Sequence, residues 1–215
     1  MVKKKSMGKS SKVNENYIHK CGLVQVEIKN NVTSISNMGF TADQVIEIMN
    51  FYLLFAPILK PDNKDKSLFG LKSLLDYGWA GQQLSKLEGL LLRFSGINNF
   101  YLIKADTIDA TLDEMNLGDK ICIEHPRAVL KQNVKIKLLE DGSVNIDSQE
   151  TRMQCLFRHI RNSIAHNHTY LFGNGNILIE DCDENKKVSA RILMPKNALL
   201  KWIDIIETGP EVLKR

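Results

Sequence analysis

The feature that most constrains this chain is an apolar stripe late in its sequence. Met153, Phe157, Ile160 and Ile164 recur at i, i+4, i+7 and i+11, with Leu156 beside them. That spacing predicts an amphipathic helix over 147–167, because only a helix laid against a core can bury such a stripe. Asp147 reads as its N-cap and Glu150, three residues on, as the capping-box partner. The rest of the chain has to supply the apolar surface on which this helix lies.

The polar residues of the same stretch are unusually chosen. At about 100° per residue, Arg152, His159 and His166 fall within roughly 40° of one another on one flank of the stripe, and Asn162 precedes His166 by one turn. Arg161 falls about 140° from His166, so one straight helix cannot bring both to the same small group. Between residues 151 and 179 there is no Asp or Glu, although the chain holds 25 of them. In that interval stand Arg152, Arg158, Arg161, His159, His166 and His168. A patch rich in cationic and titratable groups and poor in acids suits a polyanion, whose phosphates such groups neutralise. A solvated helix face with histidines at the edge of the core would show the same letters.

Arg161-Asn162-Ser163-Ile164-Ala165-His166 has the R-N-x-x-x-H form of the HEPN superfamily, and the local wording resembles its toxin and abortive-infection branch. The likeness is tight over about a dozen residues, looser over 147–207, and upstream it amounts only to a mostly helical pattern. It implies a metal-independent endoribonuclease that cuts RNA through attack of the 2′-hydroxyl, with His166 moving the proton and Arg161 stabilising the developing charge. It further implies that two copies place their motifs together as a homodimer, which would answer the 140° separation. Asn162 matches the polar position after the arginine and is expected to orient His166 or the substrate. Arg152, Arg158 and His159 are expected to bind RNA. A toxin or phage-defence effector is the implied setting. The alternative is a non-catalytic nucleic-acid-binding or assembly module paired with a nucleotidyltransferase antitoxin.

The remaining chain is read around this helix. Five lysines (Lys3, Lys4, Lys5, Lys9, Lys12) crowd the first twelve residues without an acid, so 1–12 is expected to be a disordered basic arm. The remaining 24 basic residues meet 25 acidic ones, and the net charge of +4 is therefore local. The sequence predicts a small hairpin over 23–35, a capped central helix over 42–59 opened by Thr41 and Gln44, and further helices over 65–76, 82–94 and 107–117. A hairpin around Asp141-Gly142 spans 134–146. A second follows over 177–193, and Pro195 is expected to open a last helix. The expected fold class is mainly α, a HEPN-like helical bundle with short β-hairpins. It would form a single domain over 13–215, in which 13–120 is either part of the bundle or an accessory helical layer and 147–207 bears the motif.

Other chemistries fit less well. Cys155, His159, His166 and His168 could suggest a metal, yet ligands from one helix seldom close a tetrahedron, and no carboxylate stands near to complete a hard-metal site. The sequence has no glycine-rich phosphate loop, nucleophile elbow or Cys-His nucleophile pattern. The reading therefore calls for no metal and no cofactor. The apolar run 51–59 is too short to span a membrane, no secretory signal is recognised, and the four cysteines have no paired spacing. A cytoplasmic location is expected, with RNA, a second copy and an antitoxin protein as partners.

Overall fold

The computed structural model describes residues 25–54 and 74–214. The expected basic arm, the first residues of the expected 23–35 hairpin, the end of the 42–59 helix and nearly all of the 65–76 helix lie outside them. Within the described residues the fold is mixed α/β, and this corrects the expectation of a mainly α, HEPN-like bundle. Its centre is a five-stranded sheet. In chain order the strands are β1 (Gln25–Glu27), β2 (Asn99–Ile103), β3 (Lys120–Cys122), β4 (Arg127–Lys131), β5 (Val134–Leu138), β6 (Val144–Ser148), β7 (Thr169–Leu171), β8 (Asn176–Cys182) and β9 (Val188–Pro195). The large sheet runs β2-β4-β9-β8-β7, with β2 parallel to β4 and every other pair antiparallel. Two small ribbons, β1-β3 and β5-β6, complete the strands.

The helices are α1 (Ala42–Met49), α2 (Gln82–Phe94), α3 (Asp109–Glu114), α4 (Arg152–Ala165) and α5 (Ala198–Thr208). Thr41 and Gln44 form the expected capping box of α1, which passes directly into a π-helical turn, Asn50–Leu54. Pro195 ends β9 and does not open α5. Residues 25–27 pair with β3 and make no hairpin with 32–35. Among the described residues, no helix is long and apolar enough to cross a membrane.

Why the sheet dominates follows from its central strands. Nearly every residue of β8 and β9 is buried, the mark of strands covered on both faces. Alternate residues divide between two cores. Ile177, Ile179, Ala190, Ile192, Met194, Ala128 and Leu130 face the larger one, shared with α1, α2, α4 and α5. Leu178, Leu193 and Val129 face a smaller one with α3, β3, Tyr170 and Phe172. Residues before and after 120 contribute to the same larger core, because the β2-β4 pairing draws both halves of the chain into one sheet.

The stripe on α4 is the hub of the larger core. Met153, Leu156, Phe157, Ile160 and Ile164 are all buried. Phe157 meets Trp202 and Phe51 edge to face at 6.4 Å between ring centres. Polar ends are satisfied as burial requires: Trp202 donates to the Leu91 carbonyl at 2.8 Å, Trp79 to Ile206 at 3.0 Å and Tyr52 to Leu199 at 2.9 Å.

Two adjacent residues of α4 test this placement. Ile160 is fully buried and its neighbour Arg161 exposed. Ile160→Ala is expected to cost about 2–5 kcal/mol in urea unfolding, and Arg161→Ala to stay within about 0.5 kcal/mol. Equal effects would mean that α4 is set differently on the sheet.

Candidate functional site

The motif helix begins later than its sequence suggests. Thr151 is the N-cap, with Gln154 completing a reciprocal capping box, and Asp147 belongs to β6. At the other end α4 stops at Ala165, His166 is the C-cap, and Asn167 adopts the left-handed region at φ 56°. That reversal lays the His168 ring 6.1 Å from the His166 ring, centre to centre. His168 is half-buried, and its Nδ1 has no hydrogen-bond partner.

The acids missing from 151–179 arrive from other elements. Glu150, just ahead of the helix, accepts from Arg158 through both carboxylate oxygens at 2.7 and 2.9 Å. Arg158 also donates to the Lys131 carbonyl at 3.1 Å. Arg152 meets Glu88 of α2 at 2.6 Å and lies over the Phe100 ring at 4.7 Å. His159, fully buried, places Nδ1 2.7 Å from Asp181 of β8 and Nε2 2.8 Å from the Lys131 carbonyl. Arg158 Nη2 stands 3.1 Å from the same Nε2 and competes for this corner. Asn162 donates to Asp181 at 3.2 Å and so is turned toward the sheet, not toward His166.

The charges are tuned by these contacts. Burial pushes the Asp181 carboxyl up, but the hydrogen bond and charge of His159, with donors from Asn162 and Ser189, outweigh it and hold the group below the usual carboxylate range. Glu150 behaves alike: burial raises it, while Arg158 and the Asn133 N–H together bring it down. Burial, assisted by Glu150, pushes the Cys155 thiol up to about 12, which leaves it protonated and inert. Cys155 and Cys182 are free, whereas Cys122 is disulfide-bonded.

Arg161 and His166 stand apart. Both are exposed; among the described residues Arg161 has no side-chain hydrogen bond or ion pair, and the His166 ring lies beside that of His168. No hydrogen bond joins the two. A cavity of about 320 Å³ opens beside the His159-Asp181 pair, and its walls carry charges of both signs, Lys131 and Arg158 as well as Asp181, Asp183 and Glu184. Among the described residues no group of three or more His, Cys, Asp or Glu is arranged to hold a metal ion. No protein-family model matches the chain, nor does any curated protein or solved structure.

Asp181 and Glu180 were not singled out in the sequence as partners. The signal was present, since two acids inside the apolar run of β8 must be neutralised if the strand is buried. On the opposite face Glu180 meets Arg191 at 2.7 Å and accepts from the Tyr170 hydroxyl at 2.9 Å.

The depressed carboxyls predict a pH signature. A group whose folded value lies below its unfolded one, about 4 for Asp and Glu, lends stability above that value and loses it as pH falls through the folded value. Asp181→Asn should therefore lower the melting temperature clearly at pH 7, with a cost of about 3 kcal/mol for leaving His159 unpaired. The gap to wild type should narrow as pH falls below about 4. A gap that does not narrow over that range would show that Asp181 carries no charge in the fold.

Proposed function

We propose that the chain is a metal-independent endoribonuclease whose working groups are His166 and Arg161. One observation carries this reading: Arg152, Arg158 and His159 are each paired with an acid, while Arg161 and His166 are held at the surface without a charged partner among the described residues. Their R-N-x-x-x-H setting resembles that of the HEPN ribonucleases. In the step envisaged, His166 takes the proton of a ribose 2′-hydroxyl, the 2′-oxygen attacks the adjacent phosphorus, and the bond to the 5′-oxygen breaks to leave a 2′,3′-cyclic phosphate, the departing 5′-oxygen taking a proton from water to become a hydroxyl. Arg161 stabilises the charge that gathers on the phosphoryl oxygens.

The two residues lie on opposite flanks of α4, so the site pairs Arg161 of one copy with His166 of a second. Arg152, exposed along its edge, is the remaining RNA contact; Arg158, His159 and Asn162 enter as supports that set the helix. A toxin or phage-defence role restrained by an antitoxin protein is the setting we favour.

RNA cleavage should persist in EDTA and leave cyclic phosphate ends. Arg161→Ala and His166→Ala should each lower it at least a hundredfold, corresponding to about 3 kcal/mol of lost stabilisation, with the fold unchanged. Mixing the two inactive variants should restore part of the activity, since a mixed dimer holds one intact Arg161-His166 pair. No recovery on mixing would place the site within one copy. RNA binding without any cleavage by the wild-type protein would leave a non-catalytic binding module.

A further inference from the structure

We infer that His168 is a further working residue of the same site: its Nε2–H holds a phosphoryl oxygen of the RNA while His166 acts on the neighbouring ribose. The substrate rests on the ribonuclease reading; the donor rests on the ring itself. The backbone of His168 is pinned between helix and sheet, its N–H donating to the Ser163 carbonyl at 2.8 Å and its carbonyl accepting from the Glu180 N–H at 3.0 Å. Asn167, in the left-handed region, lies between the two histidines and turns the second ring back beside the first.

The two nitrogens of this ring have different surroundings. Nδ1 is sealed from solvent and has no hydrogen-bond partner, an arrangement that folded chains avoid. Leucine or phenylalanine would fill a half-buried slot without stranding a nitrogen, so packing alone does not call for histidine here. Nε2 has no partner among the described residues and is not buried. A neutral imidazole carries one N–H. It belongs on Nε2, where solvent or a ligand can accept it, because at Nδ1 it would be a buried donor with nothing to bond. The ring thus presents a donor outward. The acids of the strand beside it do not claim that donor, since Glu180 and Asp181 are already met by Arg191 and His159.

Spacing gives the donor its target. The two ring centres lie 6.1 Å apart with the planes tilted by 37°, too far to bond each other. A phosphate and its ribose hydroxyl fit in that gap, each ring nitrogen lying within about 2.6–3.2 Å of its own oxygen. A preset N–H aimed at a phosphoryl oxygen stabilises the charge that develops there. His166 and His168 belong to one copy, and Arg161 of the second completes the site.

The test reads the ring before the reaction. In the full-length protein, nitrogen–proton correlation spectra of the histidine side chains should place the His168 proton on Nε2. Adding a 2′-O-methyl RNA, which has no attacking hydroxyl, should shift the Nε2 signal and leave the proton where it was. At saturating RNA, His168→Ala should lower kcat about a hundredfold, and His168→Gln, whose amide N–H reaches the same place, should recover at least about tenfold of that loss. Circular dichroism should show both variants folded. A proton found on Nδ1, or an Nε2 signal that the RNA does not move, would overturn the inference. So would a folded His168→Gln protein no more active than His168→Ala. If the RNA shifts Nε2 but the wild-type protein cuts nothing, the phosphate donor stands and the ribonuclease reading falls.

Discussion

The fold turns on a carboxylate that cannot be left alone. Asp181 lies in β8, the strand buried between the helical layer and the smaller core. A carboxylate so placed costs several kcal/mol unless a cation and donors meet it. His159 supplies the contact, with Asn162 beside it. That requirement sets the rotation of α4 as firmly as its apolar stripe does. With His159 turned into the sheet, Arg161, two residues on and about 200° around the helix, must point out. Glu180, one residue earlier in β8, faces the other way and is met by Arg191 and Tyr170. Two consecutive acids are thus met on opposite faces of one strand, Asp181 by the helix packed on the sheet and Glu180 by neighbouring strands.

This arrangement divides the basic groups of α4 by task. Arg158 and His159 are paired with Glu150 and Asp181. Arg152 is partly committed to Glu88 and Phe100. The helix ends before His166 can continue around to the buried flank: the C-cap and the left-handed Asn167 release it into solvent. An exposed arginine and an exposed histidine are thereby left at the end of a helix whose other faces are buried.

A similar economy operates at the start of α4. Glu150 is at once the acceptor for Arg158, the acceptor for the Asn133 N–H, and the carbonyl to which Gln132 donates. One residue therefore couples the end of β4, the base of the β5-β6 ribbon and the motif helix. The ribbon gains from this clamp the orientation that its own two strands could not enforce.

Several elements were legible in the sequence because their signals are local. The α4 stripe, the 82–94 helix, the Thr41-Gln44 capping box and the Asp141-Gly142 hairpin each depend on residues within a turn or two of one another. The sequence by itself also placed Arg161 and His166 on different flanks of one helix, since helical periodicity requires it. Only the tertiary structure decided the rest. β2 and β7 have no pattern of their own and exist because β4 and β8 give them partners. The sheet displaced the expected bundle because pairing between distant strands is invisible to periodicity. The acid-free interval looked like a phosphate-binding face, yet Glu88, Glu150 and Asp181 fold back onto it from outside the interval or helix. Charge along a chain is a property of sequence, but which charge meets which is fixed in space, where burial decides the outcome.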